Sequence, residues 1–233
     1  MRTVLTTLLI ALAAGLATPA LAADGKTLFD ANCSRCHGSL GRGLPGKGPS
    51  LAHAGAGAAD FYLRTGYMPL TDPHDQPART RVLFTERQLR ALVQYVASLG
   101  SGAAIPTPQW RTASVAAGQK LFADHCAGCH QIVAQGGVVT GARVPPLDQA
   151  TPRQIAEAIR VGPYLMPSFS ARAITPEQVN DIVAYVRYTN HPQNPGGWAI
   201  GYLGPWPEGV VTWLLAAALL LALCCVFGRR AKA

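Results

Sequence analysis

The chain has 233 residues and a mass of 24.5 kDa, enough for one large domain or two of ordinary size. Hydrophobic residues make up 49% and charged residues 14%, a balance that excludes a disordered or nucleic-acid-coating chain and favours a folded protein with a membrane connection. Half of the formal +8 sits at the extreme ends, on Arg2, Arg229, Arg230 and Lys232; between Ala23 and Glu208 the 16 basic residues face all 12 acids, without a basic run interleaved with aromatics, so no nucleic-acid partner is expected.

In chain order, Met1 and Arg2 lead into an apolar, uncharged run from Val4 to Ala17, followed by small residues at Ala20 and Ala22. A short basic start, an apolar centre and an Ala-x-Ala end predict a signal peptide over 1–22, cleaved after Ala22, and an extracytoplasmic body. A retained N-terminal anchor is the competing reading.

The body then repeats itself at a spacing of about 93 residues. Gly25, Leu28, Phe29, Cys33, Cys36 and His37 recur as Gly118, Leu121, Phe122, Cys126, Cys129 and His130. Pro49-Ser50-Leu51 answers to Pro145-Pro146-Leu147, Arg64-Thr65-Gly66 to Arg160-Val161-Gly162, and Met68-Pro69 to Met166-Pro167. Each half closes on an amphipathic helix. Thr85 and Gln88 predict a capping box ahead of the stripe Leu89, Leu92, Val93 and Val96; Thr175, Pro176 and Gln178 do the same ahead of Val179, Ile182, Val183 and Val186. The expected domains are 23–100 and 112–190, joined by a Gly/Ala/Pro-rich linker over 101–111. No strand-period stretch stands out, so both domains are expected to be all-helical with long loops. About 80 residues is marginal for a purely hydrophobic core, which a large apolar cofactor at the centre would complete.

Cys33-Ser34-Arg35-Cys36-His37 and Cys126-Ala127-Gly128-Cys129-His130 match the C-x-x-C-H signature of c-type haem attachment. Thiols three apart on one helical turn can each form a thioether with one haem vinyl group, and the adjacent histidine can then bind the iron. Zinc also takes Cys and His, and exported cysteines often pair, but two Cys pairs on separate repeats, each ending in an adjacent His, fit haem better. Apart from the initiator, the only methionines are Met68 and Met166, one per repeat, 31 and 36 residues after His37 and His130. Both are expected to be sixth ligands, which raises the potential relative to bis-histidine and leaves no open iron position, so the haems are expected to carry electrons. Pro49, and Pro145 or Pro146, are candidates to place a carbonyl on the outer nitrogen of each ligating histidine; ordinary turn geometry explains these prolines equally well. Gly25 and Gly118 are expected to let the last helix, bearing Tyr95 or Tyr185, cross closely. His53, His74, His125 and His191 have no counterpart in the other repeat and are expected at the surface.

After the second domain, a Gly/Pro-rich segment over 191–208 precedes a transmembrane helix over 209–228 and a cytoplasmic tail over 229–233. Val210 to Phe227 is 18 residues without a charge, about 27 Å of helix. The basic tail places the haem domains outside the cell membrane, and Trp206 and Trp213 fit an interfacial belt. Cys224 and Cys225 within this span are expected to be inert small hydrophobes.

These motifs together resemble the class I cytochrome c fold, present twice. Asn194-Pro195-Gly196-Gly197 and Leu203-Gly204-Pro205-Trp206-Pro207-Glu208-Gly209 ahead of the membrane helix are similar to the dihaem cytochrome c subunit of actinobacterial-type cytochrome bcc complexes, menaquinol:cytochrome c reductases. The resemblance implies two covalently attached haem c groups. It carries over Cys33, Cys36, His37 and Met68 for the first, and Cys126, Cys129, His130 and Met166 for the second. It also implies electron entry from a Rieske iron-sulfur protein, a cytochrome b subunit in the same complex, and exit to a terminal oxidase. The chain would be the electron-transfer subunit of that translocase and not catalytic alone. One departure is the N-terminus, which reads as a cleavable signal where many family members keep a membrane helix. The rival functions are a free-standing membrane dihaem cytochrome feeding a periplasmic dehydrogenase or oxidase, and a dihaem enzyme such as a peroxidase or thiosulfate-oxidising cytochrome.

Overall fold

The structure, a computed structural model, describes residues 24–192 and 206–230. The expected signal segment 1–22, most of the 191–208 junction with its family-like motifs, and Lys232 lie outside the described residues. The chain divides into two compact units at Asn190 and His191.

The first unit holds both repeats. Repeat one contains α1 (24–32), the single turn α2 (Ser34–His37), α3 (Gly55–Arg64) and α4 (Glu86–Ser98). Repeat two contains a 3-10 turn (Trp110–Thr112), α5 (Val115–His125), α6 (Ala127–His130), β1 (Gly137–Val139), β2 (Ala142–Val144), α7 (Pro152–Val161) and α8 (Pro176–Asn190). The expected caps are in place. Thr85 Oγ1 accepts from the Gln88 amide while Gln88 Oε1 accepts from the Thr85 amide, and Thr175 and Gln178 exchange the same pair of bonds. Thr151 and Gln154 form a third capping box at the start of α7. One expectation needs correction: the second repeat is not purely helical. Antiparallel β1 and β2 pair Gly137 with Val144 and Val139 with Ala142, closed by a turn with Gly141 at φ 85°. Three-residue strands hold too few positions to establish a period of two, so no alternation announces them.

The two cores are built alike. Phe29 and Phe122 are almost wholly buried and pack against Tyr95 and Tyr185, with ring centroids 5.1 and 5.4 Å apart and interplanar angles of 54° and 55°. Leu89, Leu92 and Val96 complete the first core; Ile155, Ile182 and Val186 complete the second. The glycines expected at the helix crossings sit there. A Cβ on Gly25 would strike the Ala91 carbonyl and come within 2.8 Å of Tyr95 Cβ; one on Gly118 would strike the Asp181 carbonyl and come within 2.9 Å of Tyr185 Cβ. Both obstacles include helix backbone, which cannot swing aside. Gly118→Ala is therefore expected to destabilise the second repeat by about 1–3 kcal/mol, read from denaturant unfolding; an unchanged midpoint would show that the helices separate freely.

The segment between the repeats is bound at both ends. The Gly57 amide donates to the Ala103 carbonyl at 2.7 Å and Ile105 packs on the first core, while the Gln109 amide donates to Asn180 Oδ1 at 2.8 Å and Trp110 packs on the second. The repeats also meet directly, α3 against α7. Gln154 donates through Nε2 to the Arg64 carbonyl at 3.4 Å and accepts from Arg79 Nη2 at 3.1 Å, and Gln76 donates to the Arg143 carbonyl and accepts from its amide. Deeper in this contact, Asp60 of α3 and Glu157 of α7 are both buried, and Asp60 Oδ2 and both Glu157 oxygens lack hydrogen-bond partners.

The second unit contains α9 (Trp206–Arg230). Within Trp206–Arg229 its most apolar 18-residue stretch has a mean hydropathy of 2.7, and the helix is long and apolar enough to cross a membrane.

Candidate haem centres

Both C-x-x-C-H segments fold by the same local bonds. The first cysteine follows the opening helix, its amide donating to the Phe29 or Phe122 carbonyl at 2.8 Å. Its own carbonyl accepts from the second cysteine at 3.1 Å in each repeat and from the histidine at 3.0 Å in the first and 2.9 Å in the second. One tight turn thus carries Cys33, Cys36 and His37, or Cys126, Cys129 and His130. Past it, the Gly43 amide donates to the His37 carbonyl at 2.8 Å and the Gly136 amide to the His130 carbonyl at 3.0 Å, folding the loop back toward the proline segment.

There the histidine side chains find their partners. His37 Nδ1–H donates to the Pro49 carbonyl at 2.8 Å, and His130 Nδ1–H donates to the Pro145 carbonyl at 3.3 Å. Of the two prolines open in the second repeat, Pro145 is the acceptor. Committing Nδ1 to a carbonyl fixes the tautomer and leaves the Nε2 lone pair for a metal. Burial lowers the His130 pKa, with the Pro145 carbonyl pulling weakly the other way, so the imidazole is neutral at physiological pH, the form that binds iron. Burial, reinforced by Cys36 and Cys129 respectively, pushes the Cys33 and Cys126 thiols up to about 11. Neither is tied up in a disulfide, so both sulfurs are left for thioether formation.

In the first repeat, Cys33, Cys36, His37 and Met68 all line one cavity of about 1000 Å³. An adjoining cavity of about 500 Å³ again reaches Cys33, His37 and Met68, with Phe29, Leu92 and Val96 as apolar wall. Arg35, Arg42 and Lys47 line the larger cavity, whose lining has no acidic side chain. In the second repeat, Met166 stands in the turn after α7 and packs against the core that includes Cys126. A thiol pair, a free imidazole nitrogen and a thioether around an apolar cavity fit an iron porphyrin. Among the described residues no group of three or more His, Cys, Asp and Glu is arranged to hold a bare metal ion. His53, His74, His125 and His191 are exposed, as expected. His74 pairs with Asp72, and His125 lies edge-on to Phe169.

Several residues around these sites escaped the sequence reading. Arg64 and Arg160 stand at equivalent positions of the two repeats but take different partners. Arg64 bridges Asp60 and Glu86, whereas Arg160 Nη1 donates to the Phe169 and Ile174 carbonyls at 3.0 and 2.7 Å. Tyr62 carried no signal; its partner lies 102 residues away.

Two small helical units, each built around a C-x-x-C-H turn and a later methionine loop, define a tandem dihaem cytochrome c. The cytochrome c family model matches residues 22–100, and that of cytochrome c oxidase, cbb3-type, subunit III matches residues 113–186. The "cytochrome bc1 complex cytochrome c subunit" of Mycobacterium bovis is 36% identical over 220 residues, covering 91% of this chain and 79% of the relative. That of Corynebacterium diphtheriae is 34% identical over 229 residues, covering 91% and 82%. A cbb3-type cytochrome c oxidase subunit CcoP from an Azospirillum strain is 33% identical over 144 residues, 55% of this chain and 46% of the relative. A solved chain of the Kuenenia stuttgartiensis reducing HAO-like protein complex is a distant likeness, with TM-score 0.41 and 15% identity over 71% of this chain and 95% of that chain. The chain belongs to the family of cytochrome c subunits of the cytochrome bc1 complex. It is a membrane electron-transfer cytochrome that carries two covalently bound haem c groups.

Proposed function

We propose that this chain is the electron-exit subunit of a quinol:cytochrome c reductase, taking electrons from the Rieske iron-sulfur protein beside cytochrome b and passing them to a terminal oxidase. In this reading Cys33 and Cys36 would hold one haem through thioether bonds, and Cys126 and Cys129 would hold the other. His37 and Met68 bind the first iron, His130 and Met166 the second. The bound iron supplies reversible one-electron exchange. With the haems bound, the protein's part would be to supply His37, Met68, His130 and Met166 as ligands, exclude water and fix the imidazole tautomers through Pro49 and Pro145. The observation that carries the assignment is the repeated histidine-to-proline hydrogen bond beside the thiol pair, with Met68 lining the same cavity.

Helix α9 anchors the chain in this account, with Arg229 and Arg230 on the cytoplasmic side and the haem domains 23–100 and 112–190 outside. The basic lining near the first haem favours a partner with an acidic face. Affinity purification of the membrane complex is expected to bring down cytochrome b and a Rieske protein; isolation alone or with an unrelated dehydrogenase would overturn the assignment. Met68→Ala and Met166→Ala are each expected to remove one methionine-to-iron charge-transfer band while mass spectrometry still finds two added haems. An iron that never shows such a band would instead favour a substrate-binding haem.

A further inference from the structure

The turn that carries Met166 is held from outside its own repeat. Pro163 accepts from the Met166 amide at 3.0 Å, closing a four-residue turn with Tyr164 in its first central position at φ 57°. That is a left-handed conformation which glycine, asparagine or aspartate normally fills and a tyrosine rarely does. The preceding Gly162 is also left-handed, at φ 63°, and a Cβ there would meet the Ser168 amide nitrogen and the Met166 carbonyl, so the segment is tightly folded on itself. On its far side the loop is secured within the second repeat: the Phe169 amide donates to the Ile159 carbonyl at 2.8 Å, and Arg160 donates to the Phe169 carbonyl. On its near side the partner is foreign. The Tyr164 amide donates to the hydroxyl of Tyr62, at 3.2 Å, across the contact between repeats.

Tyr62 is placed to be a firm support. It stands in α3, its ring edge-on to Phe61 and Tyr67 with centroids 5.6 and 6.1 Å away. Burial raises its phenol pKa, with the Tyr164 amide opposing, so the hydroxyl is neutral and stays in place at physiological pH. The same residue's backbone carbonyl accepts from the Met68 amide at 3.1 Å. One side chain therefore reaches the methionine loop of the second repeat while its own main chain holds the methionine loop of the first. The contact is reciprocal, because Arg160, Val161 and Ser168 of the second repeat line the smaller cavity beside Met68.

We infer that Tyr62 is a positioning residue for the second haem centre: its hydroxyl holds the left-handed turn at Tyr164, and through it Met166, in the ligating arrangement. This rests on the assignment of Met166 as a ligand. Removing the hydroxyl leaves the Tyr164 amide without its acceptor and frees the turn to relax, lowering the population in which Met166 reaches iron. Tyr62 also lines the smaller cavity beside Met68, and Tyr62→Phe keeps its ring there, the aromatic cluster and the carbonyl that supports Met68, so what is lost is the bond to the other repeat.

The test uses the full-length holoprotein and reads each charge-transfer band separately. In a Met68→Ala background only the band belonging to Met166 remains. Adding Tyr62→Phe there is expected to lower the ratio of methionine-bound to methionine-free ferric iron by about 2–10-fold, the worth of one net hydrogen bond, as the band is titrated away with pH or heat. In a Met166→Ala background only the Met68 band remains, and Tyr62→Phe is expected to leave it unchanged. Proton NMR of the reduced Tyr62→Phe single variant, through the two shifted methionine methyl resonances, checks the same asymmetry in a chain with both ligands. An unchanged Met166 band, or equal weakening of both bands, overturns the inference and leaves the ligand assignment standing. Should Met166→Ala itself remove no band, the assignment falls and the inference with it.

Discussion

Arg64→Met is expected to cost the first repeat about 3–5 kcal/mol, the penalty of leaving a buried acid without its cation. Arg64 donates through Nε to Asp60 Oδ1 at 2.7 Å and spans Glu86 with both Nη atoms, at 2.6 and 2.9 Å. The two arms differ in weight. The Arg64 guanidinium, helped by Arg90, holds the Glu86 carboxyl down to about 2, but Glu86 is solvent-exposed and water replaces most of what it loses. The Asp60 side chain is only 3% exposed, and its second oxygen already lacks a partner. Without Arg64 it must stay charged and unpaired or take up a proton, and either penalty is a cost to the folded state. Denaturant unfolding of Arg64→Met against the parent reads the loss, and Asp60→Asn added to that variant is expected to recover most of it. If the double variant is no more stable than Arg64→Met alone, the Asp60 charge is not what Arg64 neutralises.

Which parts of this protein were legible in its sequence follows from the range of the interactions involved. The C-x-x-C-H turns, the capping boxes at Thr85 and Thr175, and the glycines at the helix crossings are written within a few residues or doubled by the repeat. Duplication turned single hints into pairs: one glycine opposite one tyrosine means little, while Gly25 with Tyr95 and Gly118 with Tyr185 describe a geometry. The carbonyl of Pro145 rather than Pro146 could not be chosen from spacing, since either lies within reach of His130. What stayed invisible is the contact between repeats. Asp60, Glu157, Tyr62 and Gln154 look like ordinary helix polar residues until α3 and α7 meet, and the residues they touch lie 75 to 102 positions away. Nor does the repeat help, because the interface breaks the internal symmetry: the partner of Asp60 is not its own counterpart.

That asymmetry has a functional side. Arg64 and Arg160 occupy equivalent positions before the two methionine loops, yet one is consumed by carboxylates and the other by main-chain carbonyls. Two loops of common descent thus sit in different electrostatic surroundings, one beside a carboxylate-rich contact and one beside neutral backbone dipoles.

At about pH 9, Glu157→Gln is expected to be more stable than the parent by on the order of 3 kcal/mol, and at about pH 5 the two are expected to lie within about 1 kcal/mol. Glu157 is fully buried, and no donor reaches either of its oxygens; protonated, it can itself donate to the Asp60 carboxylate. Burial raises its pKa well above the ordinary glutamate range; Asp60, facing it from α3, raises it further, and Arg153 of α7 and Arg64 of α3 offset only part of this. An acid shifted upward on folding keeps its proton in the native state after the unfolded chain has released its own. Between the ordinary glutamate value and the raised one, the native state therefore binds more protons, and stability falls as pH climbs through that window. Below it both states are protonated and the carboxylic acid behaves much like the glutamine amide; above it the parent must bury an anion beside Asp60 while the variant buries none. Unfolding curves for parent and variant across this range are expected to diverge steadily with rising pH, and parallel curves would mean that Glu157 carries its charge in the fold. The same proton sits between the two methionine-bearing repeats, so gain or loss of it changes the charge next to Asp60 and Arg64.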